Sequence, residues 1–223
     1  ANYFIMLAGI DASAPSNRPI NEDLEIFVNQ ILATTPNIFD HIDGWSSHSY
    51  SNPGFSGTPY DNGRGTIRSY EWELNMLGRL GITKPLPVFI TETGWKRSGS
   101  ITELIQAEYQ KTAYDLWRDD KRVRAATPFI LNYQGDPFLE FSWKKKDSQD
   151  FYSVYEEVQK IVKIMGEPEQ YEDGIIVMNV PQELAVNSTY RLEIPIENTG
   201  QAIWSTQDGY EMKLKNADLF QSH

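Results

Sequence analysis

The chain of 223 residues contains no cysteine, which excludes disulfides and thiolate metal sites. Its three histidines are scattered, and we expect neither a metal site nor a cofactor. No apolar run approaches the roughly 20 residues that a membrane-spanning helix requires. Basic residues are also scarce, 20 against 31 acidic ones, which argues against nucleic acid or an anionic membrane as a partner.

Apolar and aromatic residues, by contrast, are plentiful. About 40% of the chain is apolar, and it includes 6 Trp and 12 Tyr, which is enough for a core of domain size and a smaller module. Most of these rings are expected in the core. An acidic, aromatic-rich chain is nevertheless compatible with a neutral glycan, since the flat C–H faces of sugar rings stack on aromatic side chains.

Apolar runs alternate with helical patterns along the first 166 residues. The runs predict four strands, at Tyr3–Ile10, Phe39–Tyr50, Leu86–Glu92 and Val123–Tyr133. The helical patterns predict four helices. The first begins after Asn21 as N-cap, and the second runs from near Thr66 to Gly81. The third covers Ile101–Trp117, and the fourth covers Phe151–Met165 and ends at Gly166. Strands alternating with helices at this spacing predict an α/β fold with a parallel sheet.

The period of the pattern changes after Gly166. Residues 167–173 are acidic and polar with one proline and are predicted to be a linker. Beyond them Ile175–Val180 and Tyr190–Ile196 alternate apolar and polar residues, as half-solvated antiparallel strands do. The predicted domains are therefore 1–166 and 174–223, joined by the linker.

One stretch concentrates the chemistry: Phe89-Ile90-Thr91-Glu92-Thr93-Gly94-Trp95. It delivers a carboxylate to the C-terminal tip of a short strand, where catalytic residues sit in parallel barrels, although an exposed acid beside a turn would look the same. The stretch resembles the seventh-strand signature of clan A glycoside hydrolases, which are retaining (β/α)8-barrel enzymes. The resemblance implies that Glu92 is the nucleophile and that residues 1–166 form half of a TIM barrel, strands five to eight.

The resemblance also implies roles for other residues. His48-Ser49-Tyr50 matches the end of the sixth strand, so Tyr50 is expected to hydrogen-bond the nucleophile and His48 to contact substrate. The eighth-strand region, where an aromatic residue floors the sugar subsite, corresponds loosely to Tyr133, Gln134 and Trp143, with Tyr133 and Trp143 equal candidates. Trp45 and Trp95 are further substrate-binding candidates, and for each the alternative is a packing role.

The second carboxylate is not found among these motifs. The family places its acid/base Glu on strand four, which implies that it precedes Ala1 and that the first four units lie upstream or on a separate fragment. The pair Asn21-Glu22 is better explained by helix capping. Asp136 and Glu140 do not occupy the family's donor position. A half barrel would also expose two strand edges, so we expect it to need a partner.

Residues 174–223 resemble the start of an immunoglobulin-like module of the kind appended to bacterial secreted enzymes, on the basis of Asn198-Thr199-Gly200 and Trp204. This resemblance implies a secreted or cell-surface protein. The leading interpretation is a glycoside hydrolase that cleaves O-glycosidic bonds of an oligosaccharide or polysaccharide with retention. The alternatives are a non-catalytic carbohydrate-binding or cell-surface protein on a degenerate barrel, and transglycosylation by the same nucleophile.

Overall fold

A computed structural model describes residues 3–163, 174–177, 183, 185–191, 193–200, 204–207 and 209–211. The chain forms two compact units. One is Ile5–Met165, and the other comprises Gly166–His223 with Ala1–Phe4. The predicted linker, 167–173, lies outside the described residues.

The larger unit is built on a parallel sheet in the order β1-β2-β3. Its strands are β1 (Trp45–His48), β2 (Val88–Glu92) and β3 (Val123–Ala126). The helices that accompany them are α1 (Leu24–Thr34), α2 (Ser69–Arg79), α3 (Glu103–Asp119) and α4 (Ser153–Lys160). Short 3-10 helices cover Ile38–His41 and Leu139–Phe141. The alternation predicted from the sequence, and with it the mixed α/β class, is confirmed.

The predicted first strand lies beside β1 without forming a regular ladder. It makes two isolated parallel bridges, Met6 to Gly44 and Ile10 to Ser47. Both flanks of the sheet are open, since Ile5 is 49% exposed and the residues of β3 are half-buried or exposed. The strands that the structure describes do not close a barrel.

Several predicted boundaries need correction. The last helix, predicted to run to Met165, ends at Lys160, where the extended residue Ile161 follows it. The first helix is capped by Asp23 and not by Asn21, because the Asp23 carboxylate accepts the N–H groups of Glu25 and Ile26. The predicted strand at Phe39–Tyr50 opens instead as a 3-10 turn, and its regular pairing with β2 covers only Trp45–His48. The predicted fourth strand ends at Ala126, close to Pro128, which has no N–H to give to a ladder.

The core lies between the sheet and its helices. Trp45 of β1 packs with Met76 and Leu77 of α2, and Val88 and Ile90 of β2 pack in a cluster with α3. Because side chains alternate along a strand, Ser46, His48 and Thr91 lie on the opposite face of the sheet. That face is polar at the carboxyl end of the strands, where Ser46 Oγ lies 2.7 Å from Thr91 Oγ1.

The smaller unit contains a two-stranded antiparallel sheet of β4 (Gly174–Ile176) and β5 (Ile196–Asn198). The Trp204 ring lies against Gly174 and is stacked on Tyr210, with ring centroids 6.4 Å apart. The strand predicted at Tyr190–Ile196 is corrected, because it shares only Ile196 with β5. Residues 178–180 of the strand predicted at Ile175–Val180 are outside the described residues. No helix in the described parts of the chain has the length and apolar character needed to cross a membrane.

Candidate functional site

Glu92 reaches the carboxyl end of the sheet through an irregularity in the pairing of β1 with β2. Ser47 is paired with Ile90, but the next residue, His48, is paired with Glu92. Thr91 is therefore an extra residue in β2. An inserted residue of this kind bends a strand and redirects the side chain that follows, which here brings Glu92 beside His48.

The Glu92 carboxylate is held on one oxygen. The Tyr50 hydroxyl donates a hydrogen bond of 3.0 Å to Glu92 Oε2, and His48 Nδ1 lies 3.6 Å from the same oxygen. Oε1 receives no hydrogen bond from the described residues, and the side chain is 39% exposed. The structure therefore brings Glu92, Tyr50 and His48 together, and both contacts of the carboxylate are made by Oε2.

Tyr50 is fixed as a hydrogen-bond donor. Burial, followed by the negative charge of Glu92, its hydrogen bond to Glu92 and the charge of Asp11, raises the pKa of the Tyr50 phenol above its usual range. The phenol therefore stays protonated at any pH in which the protein would work. Its ring contacts Phe55 edge-on, with centroids 5.1 Å apart, which limits its freedom to turn away.

Glycine at position 9 makes room for His48. A Cβ atom there would lie 2.3 Å from His48 Cδ2 and Nε2 and 2.6 Å from Thr91 Oγ1. Both distances are far below van der Waals contact. The imidazole therefore lies directly on the backbone of the neighbouring segment, and its position depends on the missing side chain.

The turn after Glu92 is tied to the residues around Tyr50. Thr93 Oγ1 donates to the Ser49 carbonyl at 2.7 Å, and Ser51 Oγ donates to the Gly94 carbonyl at 3.2 Å. Gly94 has φ +154°, and a Cβ there would lie 2.9 Å from the Phe129 carbonyl oxygen. Glycine is required at this turn.

No protein-family model and no curated protein matches this chain. What the site can do chemically follows from its own atoms. A partly exposed carboxylate with one oxygen oriented by a donor and the other open can act as a nucleophile or accept hydrogen bonds from a hydroxylated ligand. In the described residues, no three His, Asp or Glu side chains are grouped to hold a metal ion.

The tryptophans predicted to bind substrate are packing residues. Trp45 and Trp95 are each 1% exposed, and Trp143 is 5% exposed. The indole N–H of Trp45 donates to Glu73 Oε2 at 2.6 Å, and that of Trp95 donates to the Gly57 carbonyl at 2.7 Å. A ring buried on both faces cannot stack on a sugar, so these three predictions are corrected.

Tyr133, the other aromatic candidate, is half-buried and belongs to a row of rings that leads to Tyr50. Tyr133 contacts Phe138, Phe138 contacts Phe129, and Phe129 contacts Tyr50, with centroids 5.4, 5.2 and 6.4 Å apart respectively. Phe138 is 38% exposed. Sequence reasoning missed both phenylalanines. The available signal was the position of Phe129 near the C-terminal end of the predicted fourth strand.

Gln134 lies beside this row and is exposed. Its amide nitrogen donates to Asn132, and its Oε1 accepts the Asp147 N–H at 3.0 Å, so it braces the loop between them. A contact with a ligand would compete with these bonds. No contact between Gln134 and Glu92 is present in the structure as described.

Two other acidic residues considered in the sequence are engaged elsewhere. Glu22 accepts hydrogen bonds from Ser16, Arg18 and Gln30, and its pKa is lowered, mainly by the Ser16 hydroxyl. A lowered pKa opposes a proton-donor role. Glu140 pairs with Lys96 at 2.9 Å.

A hollow of about 280 Å³ opens beside the start of α2. None of the predicted site residues lines it. The charged residues that line it, Arg68 and Glu71, form an ion pair with each other, with Arg68 Nη2 2.8 Å from Glu71 Oε1. The ring of Trp72 on its wall is covered by Arg64, whose guanidinium carbon is 4.6 Å from the ring centroid.

Proposed function

We propose that the protein is a glycoside hydrolase that cleaves O-glycosidic bonds with retention and that Glu92 is its nucleophile. The observation that carries the proposal is the placement of Glu92: it stands at the carboxyl end of a parallel strand, 3.0 Å from the Tyr50 hydroxyl and 3.6 Å from His48. In parallel α/β folds this end of the sheet is where catalytic groups gather.

In the proposed reaction, Glu92 Oε1 attacks the anomeric carbon. The bond from that carbon to the leaving oxygen breaks, a proton from an acid group completes the leaving alcohol, and an ester between the sugar and Glu92 remains. Water, deprotonated by the same acid group acting as a base, then releases the sugar and regenerates the carboxylate. Tyr50 keeps Oε2 in place through both steps, and His48 offers a hydrogen bond to a sugar hydroxyl.

The acid/base group is proposed to come from a further set of four β/α units, on the same polypeptide or a separate fragment, that completes an eight-stranded barrel. Two observations support this. A retaining mechanism needs a second carboxyl group at about 5 Å, and Glu22 and Glu140 are engaged with other partners. The sheet also has open flanks, and an open parallel edge offers backbone groups for pairing.

The smaller unit is proposed to be part of an immunoglobulin-like module, and the protein to be secreted or attached to the cell surface. The antiparallel pairing of β4 with β5 and the packing of Trp204 against Gly174 support the first statement. The second follows from the resemblance to modules of secreted enzymes. Secretion would be tested by locating the protein in fractionated cells with an antibody raised against this chain.

The decisive experiment uses the intact protein as its source produces it, with its mass measured first. It is incubated with a panel of 2-deoxy-2-fluoro-β-glycosyl fluorides derived from glucose, galactose, mannose and xylose. These reagents trap the ester intermediate because the fluorine slows its hydrolysis. Peptide mapping should place one added sugar on Glu92. A sugar on a different carboxylate would reject the assignment.

A non-catalytic carbohydrate-binding protein is the second candidate. It is favoured by the exposed ring of Phe138 and the half-buried rings of Tyr133 and Phe129 that contact it, which would suit a glycan even without turnover. A glycan microarray separates the two functions. Binding without trapping by any fluoroglycoside and without product release would support the binding protein, whereas product with an added acceptor sugar would indicate transglycosylation.

A further inference from the structure

Glu73, on α2, is the one acidic residue among the buried residues of the described chain. It is 0% exposed. Its contacts are all neutral: Trp45 Nε1 at 2.6 Å, Ser47 Oγ at 2.9 Å and the Ser69 hydroxyl. Burying an acid without a cation costs free energy, and neutral hydrogen-bond donors offset that cost only in part. A residue of this kind in the core therefore suggests a role other than stability.

Those hydrogen bonds continue to the candidate site. Ser47 Oγ donates to Glu73 Oε1, so the 2.8 Å bond between Ser47 and Ser49 must be donated by Ser49. The Ser49 carbonyl in turn accepts the hydroxyl of Thr93 at 2.7 Å. Glu73, Ser47, Ser49 and Thr93 are each 0% exposed, which shields the series of bonds from water.

The two ends of this series explain its relevance. Ser49 directly precedes Tyr50, and Thr93 directly follows Glu92. Through Trp45 and Ser47, Glu73 also holds the first and third residues of β1. One buried carboxylate thus fixes the strand that carries His48 and leads to Tyr50, and ties it to the turn that follows Glu92.

We propose that Glu73 is a positioning residue that sets the Tyr50–Glu92 hydrogen bond through Ser47, Ser49 and Thr93. The proposal rests on the proposed function for its biological meaning, because a nucleophile must be held in a fixed orientation. It assigns Glu73 no contact with substrate. The same donor pattern is retained in part by glutamine, whose oxygen accepts from Trp45 and whose N–H can donate to Ser47.

The test measures the Tyr50–Glu92 bond directly by NMR on the full chain labelled with [13Cζ]tyrosine. The Tyr50 signal is assigned by its loss in Tyr50→Phe, and Glu92→Ala gives its position when the bond is absent. In Glu73→Leu the signal should move most of the way to that position. In Glu73→Gln it should stay near the wild-type value, because the conservative variant rescues the contact.

Gln110→Leu is the matched control. Gln110 is also buried and polar, on α3, and neither of its amide atoms has a partner among the described residues. Its replacement should leave the Tyr50 signal in place. If Glu73→Leu does not fold, Ser47→Ala takes its place, because it keeps Glu73 and its bond to Trp45 and removes only the link toward Tyr50.

A folded Glu73→Leu or Ser47→Ala protein with an unchanged Tyr50 signal would overturn the proposal, as would an equal shift in Gln110→Leu. The readout requires no sugar. Trapping of Glu92 with an unmoved Tyr50 signal would therefore reject only the role of Glu73, and a moved signal without trapping would reject only the hydrolase. In the intact enzyme, Glu73→Leu should lower kcat on the order of 10- to 100-fold with little change in KM.

Discussion

The Tyr50 hydroxyl and the Glu92 carboxylate form a hydrogen bond of 3.0 Å between neighbouring strand ends, 42 residues apart in the chain. The phenol cannot ionise at moderate pH because burial and the charge of Glu92 both raise its pKa. The phenol therefore keeps the proton that it donates to Glu92. Both recorded contacts of the carboxylate are made by Oε2, and none by Oε1, in the described residues.

Replacing Tyr50 by Phe should lower kcat by about 10- to 100-fold, because Oε2 loses its only tyrosine donor and the carboxylate can rotate. The free energy of unfolding should fall by about 1 kcal/mol, the usual value of one hydrogen bond. Steady-state kinetics on the intact protein and urea unfolding of the chain measure the two effects. Tyr109→Phe is the control, since the Tyr109 hydroxyl has no hydrogen bond in the described structure and its loss should change neither quantity.

Replacing Glu92 by Gln should abolish turnover while the fold is retained, because an amide of the same shape is not a nucleophile. The variant should also remain unlabelled by the fluoroglycosides. Circular dichroism checks that the fold is retained, product analysis measures turnover, and peptide mapping measures labelling. Glu108→Gln makes the same chemical change at an exposed position of α3 and should behave as wild type. Turnover by Glu92→Gln at the wild-type rate would remove Glu92 from the mechanism.

Replacing Gly9 by Ala should destabilise the protein by about 1–3 kcal/mol and displace His48, because the added methyl group would overlap the imidazole. Gly78→Ala is the matched control. Gly78 lies in α2 with no atom within 4 Å of the position of an added Cβ. That change should stabilise the protein by about 0.5–1 kcal/mol. Urea unfolding of both variants gives the comparison, and equal effects would contradict the packing of His48 against Gly9.

The stability of the larger unit should depend on pH through Glu73. Burial raises the pKa of this carboxyl from 4.5 to about 7, against the opposing hydrogen bonds of Trp45, Ser47 and Ser69. Between these two values the folded state binds more protons than the unfolded state, so stability falls as pH rises and levels off above the folded pKa. The loss amounts to about 3 kcal/mol over this interval.

The measurement is urea unfolding of wild type and Glu73→Gln from below pH 4.5 to above pH 7. All other titrating groups are common to both proteins, so their difference isolates Glu73. Wild type should lose about 3 kcal/mol more than the variant. Parallel curves would show that the Glu73 carboxyl does not change its protonation on unfolding in this range.

The order of strands and helices could be predicted because it depends on local periodicity. The run that ends at Glu92 was also predictable, since a buried strand followed by Gly94 determines where a carboxylate emerges. Strand lengths were overestimated where an apolar pattern continued past the paired residues, as it does at Phe129, Ile130 and Leu131, beyond the end of β3. The apolar pattern reports burial and not pairing.

The roles of the tryptophans could not be read in the same way. Trp45 is polar at one edge and apolar elsewhere, and whether it faces a ligand or the core depends on Glu73, which lies 28 residues away. A signal for Glu73 did exist. It stands three residues after Tyr70 and four before Leu77 on the apolar face of α2, where a carboxylate is unexpected. Sequence periodicity alone does not show what such a carboxylate binds.

The additional residue in β2 constrains how this protein can diverge. Thr91 shifts the pairing so that Glu92 stands beside His48. Deleting one residue between Ile90 and Gly94 would turn the acid toward the opposite side of the strand and separate it from the tyrosine. Homologues that share the chemistry should therefore vary in the composition of this segment but not in its number of residues, and length variation should be confined to the surrounding loops.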